Sequence, residues 1–212
     1  MSPDAVTAER LYHDVREAIM AGEFRPGASL ITSQIADRFG TSVTPVRDAL
    51  HRLVGERAIM MQAGGGFVVP TLDPLTISHL YRWQADILHS IARNVPQLEL
   101  IGEAPVAAQS GAADRVEHAQ ATGQLFERLA RLSNNPEHLE AISALQSRLQ
   151  IVRRNEYVLG RCRSELHSLW EHIHSGNRHK TRIALWHYHK RRLLSVEKIY
   201  EQIYNQKYDV TR

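Results

Sequence analysis

A single cysteine, Cys162, among 212 residues leaves the chain no intramolecular disulfide. Long apolar runs are missing too: no stretch approaches the roughly 18 uninterrupted apolar residues that cross a bilayer, so no membrane partner is expected. Lysine is absent from residues 1–75, which carry seven Arg against nine Asp plus Glu, a net of −2. A diffuse basic field is therefore not what this segment offers a nucleic acid; a few placed arginines and backbone amides would have to serve. Residues 153–212 reverse the balance, with 13 basic and 6 acidic side chains. Only 8 prolines and 12 glycines interrupt the chain, which argues for ordinary globular packing in one or two domains. The opening MSPDAVTAER has no apolar core of the signal-peptide kind, and the expected compartment is the reducing cytoplasm.

What is present is punctuation. Leu11, Val15, Ala18 and Ile19 share one face at helical spacing and Gly22 stops the run. Pro26-Gly27 is a turn signal. Thr32 reads as the N-cap of a short helix with Ile35, Ala36 and Phe39 inward and Gly40 at its end. Thr44-Pro45 reads as a cap plus a first-turn proline, opening a helix that buries Val46, Ala49, Leu50 and Leu53. Four residues separate these helices, the tight connection of a helix-turn-helix. Two β-like runs, 58–62 and 66–69, follow around Ala63-Gly64-Gly65, a hairpin wing. Pro70 to Pro74 is a linker, and beyond it the period is helical: about 74–94, 113–132, 136–159, 164–175 and 178–206, with 95–112 a loop or broken helix. The fold class expected is mainly α, a winged helix-turn-helix (three helices plus a small β-hairpin wing) over 1–72 and an all-helical bundle over 73–212.

Ile19, Gly22, Pro26-Gly27, Leu30, Ile35-Ala36, Phe39-Gly40, Ser42, Thr44-Pro45-Val46-Arg47, Ala49-Leu50, Arg52-Leu53 and Gly66 together resemble the GntR family of bacterial transcriptional regulators. Phe126 to Pro136 and the Gly176-Asn177 break make the remainder similar to its FadR/FCD subfamily. The resemblance implies a homodimer on a palindromic double-stranded DNA operator, usually a repressor, with an FCD-like bundle that dimerises and holds a small effector such as an organic acid or acyl metabolite. The residues implied in DNA contact are Ser33, Ser42, Thr44, Pro45, Arg47, His51, Arg52 and the wing glycines Gly64, Gly65 and Gly66. Helical spacing puts Arg47 and His51 on one outward edge, where an arginine fork can address guanine, while hydroxyls at the helix start suit phosphate. Two residues depart from the pattern. Val43 stands where many members have arginine, and Arg57 replaces a frequent glycine, costing on the order of 1 kcal/mol if its φ is positive.

Many FCD domains hold a divalent metal through an aspartate, a histidine one turn later and two histidines on the last two helices. Aligned without gaps, those positions are Gly123, Glu127, Leu166 and Tyr188. His167 and His189 each lie one residue further on, so a register slip would offer Glu127, His167 and His189 as ligands. The inward stripe Leu166, Leu169, Trp170 and Ile173 turns His167 away by about 100°, which speaks against the slip. No cofactor is therefore expected, a divalent metal being the disfavoured option. Arg153, Arg154, Trp186 and Tyr188, with Glu127, offer a basic and aromatic lining for an organic anion. Two other readings compete: a DNA-binding architectural protein without ligand, and a cysteine enzyme using Cys162 with His167. The second is poor, because positions five apart face differently on a helix and no oxyanion motif accompanies them. The chain is expected not to be an enzyme.

Overall fold

A computed structural model describes residues 3–96, 98, 102–104 and 115–205. Much of the expected loop over 95–112 lies outside the described residues. Contacts divide the chain into two units, Met1–Leu72 and Asp73–Arg212.

In the first unit the order is α1 (Pro3–Met20), β1 (Ser29–Leu30), α2 (Thr32–Phe39), α3 (Val43–Gly55), β2 (Met60–Met61) and β3 (Phe67–Val68). Leu11, Val15 and Ile19 of α1, Ile35 of α2 and Val46, Leu50 and Leu53 of α3 meet in one core with Leu30, Phe67 and Val69. Each such side chain contributes roughly 1.5–3 kcal/mol by leaving water. Gly40 ends α2 with φ 62°, letting the Thr41 N–H reach back to the Ala36 carbonyl at 3.0 Å.

Three details differ from the sequence reading. Thr32 is the first residue of α2 rather than its cap, Ile31 taking that place with no side-chain bond. α3 begins at Val43, so Pro45 sits within the first turn, where its missing N–H has no intrahelical partner to lose. The wing is also not a bare hairpin: β3 is central, pairing antiparallel with β2 (Met60 opposite Val68) and with β1 (Ser29 opposite Val68). Arg57, between α3 and the wing, does adopt a positive φ of 58°.

The second unit is helical: α4 (Pro74–Asn94), α5 (Arg115–Arg131), α6 (Pro136–Arg154), a 3-10 turn (Glu156–Leu159), α7 (Cys162–His174), α8 (Arg178–Leu193) and α9 (Val196–Asn205). Asp73 caps α4 by accepting from the Thr76 N–H at 2.7 Å, Asn135 caps α6 through Glu137, and Asn177 caps α8 through Lys180. α4 packs on α8, and α5 on α6. The expected helix to 159 gives way after Arg154 to the 3-10 turn, and the expected single last helix breaks after Leu193.

Candidate nucleic-acid interface

The turn between α2 and α3 exposes Ser42, Val43 and Thr44, and the outer edge of α3 exposes Arg47 and His51. In the wing, Gly65 and Gly66 have φ of 86° and 89°, a left-handed conformation that glycine adopts without Cβ strain. The Gly65 N–H donates to the Gln62 carbonyl at 3.0 Å and the Gln62 N–H to the Gly66 carbonyl at 3.1 Å, which closes the tip. Arg47 and His51 meet Gly65, Gly66, Met61 and Phe67 around one open cleft of about 480 Å³. His51 rests edge-on against the Phe67 ring, centroids 5.0 Å apart, which fixes its position on the cleft wall. The cleft thus joins a guanidinium fork, an imidazole and a glycine-rich backbone that can approach closely. That combination suits base edges and phosphates.

Ser33, Ser42, Thr44 and Gly64 are exposed and Pro45 half-buried, but none lines the cleft. Arg52 does not line it either. It turns toward α1, where Nη1 and Nη2 donate to the Glu9 carboxylate at 2.7 and 3.3 Å and the guanidinium lies 3.8 Å from the Tyr12 ring centroid. The bond from Arg52 holds the Glu9 carboxyl below its ordinary range. Burial, helped by a hydrogen bond to Glu56, pushes the Tyr12 hydroxyl up to about 12. Arg52 therefore ties α3 to α1. Met61, which the sequence reading did not single out, is half-exposed on the cleft wall; both β2 residues face outward, against the alternation expected of a strand.

In the second unit Arg153 and Tyr188 are buried beside one ring, Phe126: the guanidinium carbon is 5.6 Å from its centroid and Tyr188 meets it edge-on at 5.2 Å. Of the rest of the expected lining, Trp186 faces solvent under Lys190, and Glu127 and Arg154 are partly buried. The polar centre instead gathers residues that the sequence reading missed. Glu156 and Arg192 are fully buried; Glu156 Oε2 accepts from Arg192 Nε at 2.9 Å and Nη2 at 2.7 Å, and Oε1 from the Tyr81 hydroxyl at 2.5 Å. Burial alone would raise the Glu156 carboxyl, yet the charge and bonds of Arg192 hold it below its ordinary range.

The metal positions implied by resemblance do not fit a cation. At Gly123 the space a Cβ would take is filled by the Gln146 amide, Leu166 is apolar, and the Tyr188 hydroxyl lies 3.5 Å from Glu156. The alternative trio also fails to converge. His167 is exposed and pairs with Glu171 at 3.2 Å, whereas His189 is buried; burial pushes it down to about 3. Among the described residues one group of ligand-type side chains does converge, His118, Glu156 and Cys162. Its carboxylate is already the counter-ion of Arg192, and burial pushes the Cys162 thiol up to about 11. That thiol points at the Glu156 and Gly160 carbonyls, 3.2 and 3.4 Å away, and so has no base in His167.

A recognition helix framed by a turn and a glycine wing defines the first unit as a winged helix-turn-helix, the class of DNA-binding domain. The family described as bacterial regulatory proteins, gntR family, matches residues 7–69. The winged unit therefore carries that family's domain, and the chain is similar to DNA-binding transcriptional regulators. It is 33% identical over 87 residues to the HTH-type transcriptional regulator McbR of Escherichia coli K12, an alignment that spans 41% of this chain and only 39% of that protein. The Nta operon transcriptional regulator of Aminobacter aminovorans is 28% identical over 151 residues, 68% of this chain and 72% of the relative. In fold, the chain resembles a GntR regulator from Rhodococcus sp. RHA1 with a TM-score of 0.71 at 18% identity, over 91% of this chain and 98% of that one. No helix among the described residues is long and apolar enough to cross a membrane.

Proposed function

We propose that the chain is an effector-responsive repressor of the FadR/FCD subfamily that binds a palindromic operator as a cytoplasmic homodimer, and that it is not an enzyme. The carrying observation is the cleft in which Arg47 and His51 of α3 face Gly65 and Gly66 of the wing. Arg47 reads bases, the exposed Ser33, Ser42 and Thr44 with Pro45 set the helix on phosphates, and the glycine tip including Gly64 follows the adjacent groove. In the second unit, Trp83 on α4 and Ile183 and Trp186 on α8, two helices packed together, keep large apolar surface in water. A second copy covering that face accounts for it. The effector, a small organic acid, acts by changing the placement of the two winged units on the half-sites.

The test is enrichment of bound duplexes from a randomised pool by the full chain, followed by mass measurement of the complex. Inverted repeats with half-sites about one helical turn, roughly 34 Å, apart and two chains per duplex are expected. Recovery of unrelated sequences, or of one chain per duplex, would remove the reading.

A further inference from the structure

The helical unit holds more positive than negative charge where it can least be tolerated. Arg153 and Arg192 are both buried to within 1% of full burial, and the one carboxylate equally buried among the described residues, Glu156, is committed to Arg192. Arg192 is satisfied on every nitrogen, by Glu156, by Glu165 at 3.0 Å and by the Tyr188 carbonyl at 3.1 Å. Arg153 is not. Gln146 takes its Nη1, and its Nε and Nη2 have no hydrogen-bond partner among the described residues. Those two atoms form one edge of the guanidinium, whose parallel N–H groups match the two oxygens of a carboxylate.

The same aromatic ring carries a second unmet group. His189 stacks beside the same Phe126 ring, centroids 6.1 Å apart. Its Nδ1 donates to the Leu185 carbonyl at 2.7 Å, which leaves Nε2 as a buried acceptor without a donor. Native interiors seldom leave so many polar atoms unmet, least of all on a charged group. Gly123 supports the arrangement: only without a side chain there can the Gln146 amide cross α5 to hold Arg153.

We propose that Arg153 anchors a metal-free effector site inside the helical unit, and that its ligand is a small monocarboxylate seated on the Nε–Nη2 edge. This rests on the reading of the chain as effector-responsive and names the ligand class. One unbalanced cation calls for one negative charge, so dicarboxylates and phosphate esters are poor ligands. The edge has no access to solvent, so the ligand enters by parting the side chains over it, which couples binding to helix placement.

The experiment uses the full chain with acetate as probe, acetamide as its uncharged counterpart, succinate as the dianion and chloride at matched ionic strength. At roughly 100 mM, acetate is expected to raise Tm by about 2 °C or more over chloride and to move the Arg153 Nε–Hε resonance, while acetamide and succinate do neither. Arg153→Met is expected to fold with an unchanged or higher Tm, because it removes an unpaired buried charge, and to lose the acetate response; Arg153→Gln is expected to lose it as well. Acetate acting like chloride on the unmodified chain, or a response retained in both variants, would overturn the assignment. So would an Arg153→Met chain that no longer folds, since that would show Arg153 to be paired within the protein. Binding of the enriched duplex is measured in parallel. Intact duplex binding without an acetate response refutes the site alone, whereas failure to bind any duplex refutes the regulator reading and leaves the acetate result to be judged separately.

Discussion

Glu156→Gln isolates the buried ion pair that organises the helical unit. The change keeps shape and an acceptor for the Tyr81 hydroxyl, but it removes the charge that Arg192 meets at 2.7 and 2.9 Å. Arg192 is fully buried, and besides the Tyr188 carbonyl it keeps as charge partner Glu165, a partly exposed carboxylate already shared with Arg191 at 2.5 Å. Leaving one partner of a buried pair uncompensated costs about 3–5 kcal/mol, and the remaining Glu165 contact puts the expectation near the lower end. Glu156→Gln/Arg192→Met keeps the Tyr81 acceptor and leaves no orphaned charge, so it is expected to recover at least about 1 kcal/mol of that loss. Urea unfolding followed by tryptophan fluorescence reads the right unit, because the three tryptophans, Trp83, Trp170 and Trp186, all lie beyond residue 72. A single-variant loss under about 1 kcal/mol, or a double variant no more stable than the single, would refute the account of the pair.

Acidification should weaken the helical unit through His189. Its folded value of about 3 lies below the ordinary 6.5, so the unfolded chain binds the proton first and stability falls as pH drops from 6.5 toward 3. That amounts to about 2 kcal/mol between pH 7 and pH 5, and His189→Phe should flatten the curve measured by urea unfolding. Gly123→Ala should push the Gln146 amide off Arg153 and cost about 1.5–3 kcal/mol, the worth of a hydrogen bond to a charged group, in the same assay. Arg57→Gly should relieve the positive φ and stabilise the winged unit by up to about 1 kcal/mol, read as a higher Tm; a lower Tm would show that Arg57 makes compensating contacts.

The winged unit was legible because its boundaries are local. Gly40 and the Gly65-Gly66 tip need a left-handed backbone, and the inward stripe of α3 lies in consecutive turns. What escaped was non-local. Ser29–Leu30 is too short to announce itself and becomes a strand only by pairing with Phe67–Val68. Arg52 looks outward on a helix plot, and its pairing with Glu9, 43 positions away, turns it toward α1. In the helical unit the apolar faces were readable, but Arg153 and Arg192 occupy inward positions where composition alone assigns charge to the surface. The break at Leu194-Ser195 carries neither glycine nor proline, so nothing in the local sequence marks it.

Fluorescence anisotropy of the full chain on its enriched duplex, with Arg47→Ala and Arg52→Ala side by side, tests the interface most directly. Arg47→Ala should lose about 1–3 kcal/mol of binding, from several-fold to roughly a hundredfold, and relax selection at one base position of each half-site, while Arg52→Ala stays near the unmodified chain. Equal affinity for Arg47→Ala, or a greater loss from Arg52→Ala, would contradict the assignment of Arg47 to the bases and Arg52 to α1.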